Sequence, residues 1–297
     1  MSTQHSSADL EDHDLGLSSD LPRILGRRRL FGLAGGVGAA AALVACGADE
    51  TTTELTSTGS RPTPPSGGPP AGGGAGGPGG AEGSDVDVAE GEIPEETAGP
   101  YPGDGSNGAN VLTESGVVRS DLTTSFGSAS RVAEGVPVTI RLRVQDLSGD
   151  DVSPLVGAAF YLWHCDRAGE YSMYSEAIAE ENYLRGVQET DEDGRVEFTS
   201  IFPACYDGRW PHMHFEVYES LASATTYTNK LRTSQLALPE DVCREVYATD
   251  GYETSLDNLN RVALDTDMVF ADGHSLQLAK VTGSVEEGYT ISLNVPV

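Results

Sequence analysis

Val136-Pro137-Val138-Thr139-Ile140-Arg141-Leu142-Arg143-Val144 alternates apolar and polar side chains with a period of two. Successive side chains of an extended strand point to opposite faces, so Val138, Ile140, Leu142 and Val144 form a dry face and Thr139, Arg141 and Arg143 a wet one. This is the signature of a half-buried strand. Similar short runs recur at Ala158 to Trp163, Arg195 to Ile201, His212 to Tyr218, around Leu236 and Leu238, at Leu276 to Val281 and at Tyr289 to Val295. Asp193-Gly194, Asp207-Gly208, Asp272-Gly273 and Glu287-Gly288 separate the runs with residues suited to tight turns. One helix is predicted after Leu238, where Pro239 takes the first helical position, Glu240 and Asp241 fill the first turn, and Val242, Val246 and Tyr247 give an apolar stripe. The pattern predicts an all-β domain over residues 90–297, a two-sheet antiparallel β-sandwich with one or two short helices and long loops. About 200 residues suffice to bury roughly 70% of the surface exposed by the unfolded chain.

Composition narrows the function. The 297 residues include 46 Asp or Glu against 18 Lys or Arg, a formal net charge of -28, and the two lysines are Lys230 and Lys280. A nucleic-acid surface needs a basic patch that this chain can hardly assemble, so no nucleic-acid partner is expected. Hydrophobic residues make up 38% of the chain, and 36 Gly with 16 Pro concentrate that deficit in particular stretches.

The first such stretch reads as an address. Arg27, Arg28 and Arg29 precede Leu30 and Phe31 and a 14-residue run of Gly, Ala, Val and Leu from Gly32 to Ala45. The run is too short for a membrane span and suits a signal peptide; the arginines resemble a twin-arginine signal. Leu43-Val44-Ala45-Cys46 resembles a lipobox, which makes Cys46 the expected lipidated residue and residues 1–45 the signal segment. Residues 46–89 are expected to form a disordered tether, because 11 Gly and 6 Pro within residues 59–83 leave too little apolar surface to offset ordering entropy. The expected location is outside the cell, at the membrane, on an N-terminal lipid anchor.

The chemistry is concentrated in His212-Met213-His214-Phe215-Glu216-Val217-Tyr218. Period two sets His212 and His214 on one face and Met213, Phe215 and Val217 on the other. Two imidazoles about 7 Å apart at the backbone can tilt onto one ion. Upstream lie Trp163-His164-Cys165-Asp166-Arg167-Ala168-Gly169-Glu170-Tyr171-Ser172, then Arg185-Gly186-Val187-Gln188-Glu189-Thr190-Asp191-Glu192-Asp193-Gly194, then Tyr206 and Arg209. In this order the chain resembles the intradiol ring-cleavage dioxygenases, over roughly residues 95–245. Thr97-Ala98-Gly99-Pro100-Tyr101 is similar to the first motif of that family.

The resemblance implies a non-haem Fe(III) held by Tyr171, Tyr206, His212 and His214. Hard phenolates favour Fe(III), and a bound cation lowers a tyrosine pKa toward neutrality. The resemblance also implies that Arg209 is catalytic beside the substrate, that Gln235 and Tyr101 contact substrate, and that Tyr206 is both a displaceable axial ligand and a base. His214 is implied as the opposite axial ligand, with Tyr171 and His212 equatorial. The implied reaction joins a catechol-type diol with O2 to give a muconate-type dicarboxylic acid. Arg185 and Gln188 are expected to brace the loops, Tyr174 is the local rival of Tyr171, and His164 and His274 are expected to be ordinary polar residues. With Cys46 set aside, a disulfide between Cys205 and Cys243 is expected to add roughly 4 kcal/mol. The competing reading is a lipid-anchored β-sandwich that binds a ligand without turnover. Zinc is disfavoured because it seldom takes tyrosine. Homo-oligomer formation is left open.

Overall fold

The structure, a computed structural model, describes residues 91–149 and 151–297. The expected signal segment, the tether and Cys46 lie outside the described residues. Nine strands follow in chain order: β1 (Pro137–Asp146), β2 (Ser153–Pro154), β3 (Ala159–Trp163), β4 (Arg185–Glu189), β5 (Arg195–Ile201), β6 (His212–Tyr218), β7 (Lys230–Ala237), β8 (Lys280–Ser284) and β9 (Gly288–Pro296). Two α-helices among the described residues, α1 (Glu240–Val246) and α2 (Ser255–Leu259), sit between β7 and β8. The strands make two sheets, one ordered β2-β1-β9-β8 with β5 also on β1, the other ordered β4-β3-β6-β7. This is the expected all-β sandwich, with one departure: β1 and β9 run parallel.

The dry face of β1 lies where its alternation places it. Val138, Ile140, Leu142 and Val144 are buried and pack with Phe160, Leu162, Phe198, Met213, Phe215 and Val217 in the core between the sheets. Thr139, Arg141 and Arg143 lie on the opposite, more open face. The second sheet is dry on both faces: every residue of β3 and of β6 is buried. Its outer face is covered by a second cluster in which Tyr161, Trp163, Tyr171, Val187 and Tyr218 meet Val111, Leu112 and Val117 from a long N-terminal loop. That layer holds the candidate site.

Several boundaries move. Strand β4 was not expected as a strand, because Arg185-Gly186-Val187-Gln188-Glu189 has no clean alternation; it forms by pairing with β3, Trp163 opposite Arg185. The strand expected at Leu276 to Val281 begins only at Lys280, since Gln277 and Leu278 turn back onto the carbonyl of His274. Pro239 is extended, with ψ 139°, and precedes the helix instead of opening it.

The expected Cys205–Cys243 disulfide is not present. Cys165, Cys205 and Cys243 are all free and buried. The Cys205 thiol instead faces the carbonyl of Arg209, 3.5 Å away, while Cys243 is fixed within α1. Both cysteines belong to the apolar core, where they pack as small hydrophobes.

Candidate metal centre

Strand β6 presents His212 and His214 on the face away from the sandwich core, and both are 2% exposed. Trp163, across from His214 on β3, stacks on its ring at 5.1 Å with 8° between planes, which fixes the imidazole sideways. The ring N–H of His212 at Nδ1 donates to the carbonyl of Trp210. That bond settles the tautomer and leaves Nε2 as a bare acceptor. The two Nε2 atoms stand 3.1 Å apart.

Two tyrosines complete the group. Asp166 Oδ1 accepts the backbone N–H groups of Ala168 and Glu170 at 2.8 and 3.0 Å, turning the chain toward Tyr171. Gly169 takes φ +89° in that turn, and a Cβ there would lie 3.1 Å from the Cβ of Tyr206, so glycine is required twice over. Arg185, fully buried, bonds the carbonyl and hydroxyl of Ser172 and the carbonyl of Pro102, tying the Tyr171 turn to the N-terminal loop. Tyr171 Oη reaches His214 Nε2 at 3.3 Å, and Tyr206 Oη reaches His212 Nε2 at 3.0 Å. Tyr174 points elsewhere, with its hydroxyl donating to Asn107 and accepting from the N–H of Gly103. Tyr171, not Tyr174, belongs to the group.

Four donor atoms on four residues therefore converge, with neighbours 3.0–3.3 Å apart. Metal–donor bonds of about 2.0–2.2 Å set such spacings around one cation. Burial pushes the His212 and His214 pKa values well below the ordinary imidazole range, so both rings are neutral. Burial also drives the Tyr171 and Tyr206 phenols upward, so without a cation both stay protonated. Without a cation the two Nε2 atoms and two phenols can only share protons among themselves, and His214 Nδ1 is buried without a hydrogen-bond partner. A cation at their meeting point would take an Nε2 lone pair from each imidazole and favour ionisation of the phenols. No group of three or more His, Cys, Asp or Glu that could hold a metal occurs among the described residues, so the candidate donor set is this oxygen and nitrogen quartet. Of the four candidate donor residues, Tyr206 is the most open to solvent: it is partly exposed, while the other three are buried.

Arg209 lies beside this quartet, 1% exposed. Its Nη2 donates to Gln235 Oε1 at 2.7 Å, and Gln235 Nε2 donates to the carbonyl of Thr97 at 2.8 Å. Gln235 thus has both ends of its amide engaged by protein and acts on Arg209 and the 97–101 segment. That segment runs over the metal centre: a Cβ on Gly99 would lie 3.3 Å from the His214 ring. Tyr101 packs its ring 4.9 Å from that of Tyr171. His164 is buried between the carbonyl of Cys165 and Ser200 Oγ, a structural role, and Gln188 bonds the carbonyl of Glu197.

Comparison with known proteins bears directly on these motifs. The family model described as dioxygenase matches residues 113–235, an interval containing all four donor residues, Arg209 and Gln235. Chlorocatechol 1,2-dioxygenase of Rhodococcus opacus is 33% identical over 95 residues, 28% of this chain and 36% of that protein. Catechol 1,2-dioxygenase of Candida albicans is 27% identical over 181 residues, 52% of this chain and 58% of that protein. These matches place residues 113–235 in the intradiol ring-cleavage dioxygenase family. Among solved structures, the dioxygenase Tetur07g02040 superposes with a TM-score of 0.50 at 21% identity, covering 62% of this chain and 87% of that one. It shows the shared sandwich. The chain spans little more than a third and a little over half of the lengths of the two curated relatives.

Within this intradiol domain, one site residue escaped the sequence reading. Asp267 is buried and ion-paired to Arg209 at 3.0 Å, yet it lies 58 positions along the chain and past the matched interval. No local signal marks it: Asp265-Thr266-Asp267 reads as a solvent-facing acidic turn in a very acidic chain.

Proposed function

We propose that this intradiol-family domain is a non-haem iron(III) enzyme that opens the ring of a catechol-type diol between its two hydroxyl-bearing carbons. Both atoms of O2 enter the product, a muconate-type dicarboxylic acid, and no other co-reactant is required. We further propose that the chain is exported and held outside the cell by a lipid on Cys46, as the sequence reading expects. The observation that carries the catalytic reading is the convergence of Tyr171 Oη, Tyr206 Oη, His212 Nε2 and His214 Nε2 at 3.0–3.3 Å from their neighbours.

These four residues would hold the iron. Ferric iron, when bound, would supply the electron-accepting centre that makes a diolate reactive toward oxygen. The protein's own groups do the rest. Burial raises the basicity of the Tyr206 phenolate, with the Arg209 charge opposing part of that rise. A proton from the diol therefore passes readily to Tyr206 Oη, on the one residue of the quartet that is partly exposed. Trp163 holds the His214 ring in plane, and the Trp210 carbonyl holds His212. The guanidinium of Arg209, pinned by Gln235, holds fixed N–H dipoles near Tyr206, where they can stabilise electron density on the bound diolate before oxygen attacks. The 97–101 segment closes the site from above and excludes water.

Iron analysis and an absorption spectrum of the purified protein, with oxygen uptake on a panel of catechols, test this reading. The expected result is one iron per chain, a reddish phenolate-to-iron absorption and diol-dependent oxygen uptake. A colourless protein that remains iron-free after loading would end it and favour the non-catalytic binding module.

A further inference from the structure

Resting on the dioxygenase reading, we propose that Asp267 is a positioning residue for Arg209, and that the resulting pair makes the pocket selective for diols without a carboxylate substituent. The carboxylate of Asp267 is wholly buried and meets N–H donors on both oxygens. Arg209 Nε donates to Oδ2 at 3.0 Å and Nη2 to Oδ1 at 3.2 Å, while the backbone N–H of Trp210 reaches Oδ2 at 2.7 Å and that of Val269 reaches Oδ1 at 2.9 Å. Four N–H donors leave both carboxylate oxygens of Asp267 acting only as acceptors. The forked grip on Nε and Nη2 fixes the plane of the guanidinium, and the Gln235 bond at 2.7 Å fixes its remaining freedom.

Fixing the plane also cancels the charge. In many pockets a buried arginine is what draws a carboxylate ligand in, because it alone offsets the lost hydration. Here the buried arginine already has a buried counter-anion at 3.0 Å. The other basic side chains nearby are turned to other tasks: His212 and His214 would hold the iron, and Arg185 directs its N–H groups onto Ser172 and Pro102. A substrate carboxylate placed against Arg209 would lose its water and meet a guanidinium whose Nε and Nη2 already face Asp267. Asp267 reaches the site from the segment between α2 and β8, past the interval matched by the family model.

The test compares 3,4-dihydroxybenzoate with 4-methylcatechol, which differ chiefly in the carboxylate, on the iron-loaded full chain. Two quantities are read: kcat/KM, and the Kd from anaerobic titration of the absorption spectrum, which needs no turnover. The wild-type protein should favour 4-methylcatechol by about 10-fold or more in both, the size of one 1.4 kcal/mol discrimination. Asp267→Asn should shrink that ratio by about 10-fold, because it keeps the side-chain shape and frees the Arg209 charge. Asp267→Glu keeps the charge but displaces the guanidinium, so kcat should fall on both substrates with the ratio unchanged. A residue that merely holds the fold would change both substrates alike in both variants. A wild-type protein that binds both diols equally overturns the inference without any variant, as does Asp267→Asn with the wild-type ratio. Failure of the underlying reading looks different: no iron, no colour and no oxygen uptake with either diol.

Discussion

The two sheets of this domain share a core but differ on their outer faces. Strand β1 keeps Arg141 and Arg143 on the open side, and Arg141 pairs with exposed Glu197 at 2.7 Å. Strand β6 has no open side: Met213, Phe215 and Val217 fill the sandwich, and His212, His214 and Glu216 are sealed under loops. A sheet needs only one dry face to fold. Drying the second face costs stability, since polar groups there lose water, and it is worthwhile only where those groups meet one another or an ion. The difference between the sheets therefore locates the chemistry before any ligand is considered.

The most severe way to break the contrast is to remove a donor from the sealed face. His214→Ala should abolish iron retention and oxygen uptake, a loss larger than the roughly 10–100-fold typical of removing a mere partner of a ligand. Iron content by mass spectrometry checks it, and a fully iron-loaded variant would disconnect the sealed face from metal binding. The opposite side of the same strand should respond in stability and not in chemistry. Phe215→Ala, which deletes a ring stacked on Phe160 at 5.0 Å, should cost about 3–5 kcal/mol in urea unfolding while leaving the iron spectrum of the folded protein unchanged.

pH sharpens the contrast from both ends. Burial lowers the His164 pKa to about 4, so the unfolded chain takes up a proton near pH 6.5 that the folded chain refuses. Stability should accordingly fall as pH drops from about 6.5 to 4, by up to about 3 kcal/mol. Glu216 runs the other way. Burial, followed by the Asp104 charge, raises it to about 8, so the folded chain keeps a proton that the unfolded chain gives up. Its contribution is complete below the ordinary carboxylate pKa and is lost as pH rises through 8. Urea midpoints of the metal-free protein across pH 4–9 should therefore peak at mildly acidic pH; a flat profile would mean that the sealed face is wet. The smallest effect belongs to the open face: Arg141→Ala should cost no more than about 1 kcal/mol, because an exposed ion pair is screened, and turnover should not change. A loss of activity there would contradict the division between the sheets.

Much of this was readable in the chain itself. The alternation of Val138 to Val144 gave the strand and its dry face, and His212-Met213-His214 gave two imidazoles on one side, since a period of two is enforced by backbone geometry alone. The resemblance carried by the linked motifs pointed to Tyr171 and Tyr206, and the turn from Asp166 to Gly169 that leads into Tyr171 is built by residues close in sequence. Four features required the folded molecule. The β1–β9 pair is parallel, and pairing direction depends on where a distant strand arrives. Cys205 and Cys243 remain free thiols, because proximity within a core does not by itself aim two sulfurs at each other. Gln235 serves Arg209, and Asp267 neutralises it, through contacts 26 and 58 positions apart. Local spacing fixes which side chains share a face; long-range packing decides which charges are left without water and what each must then meet.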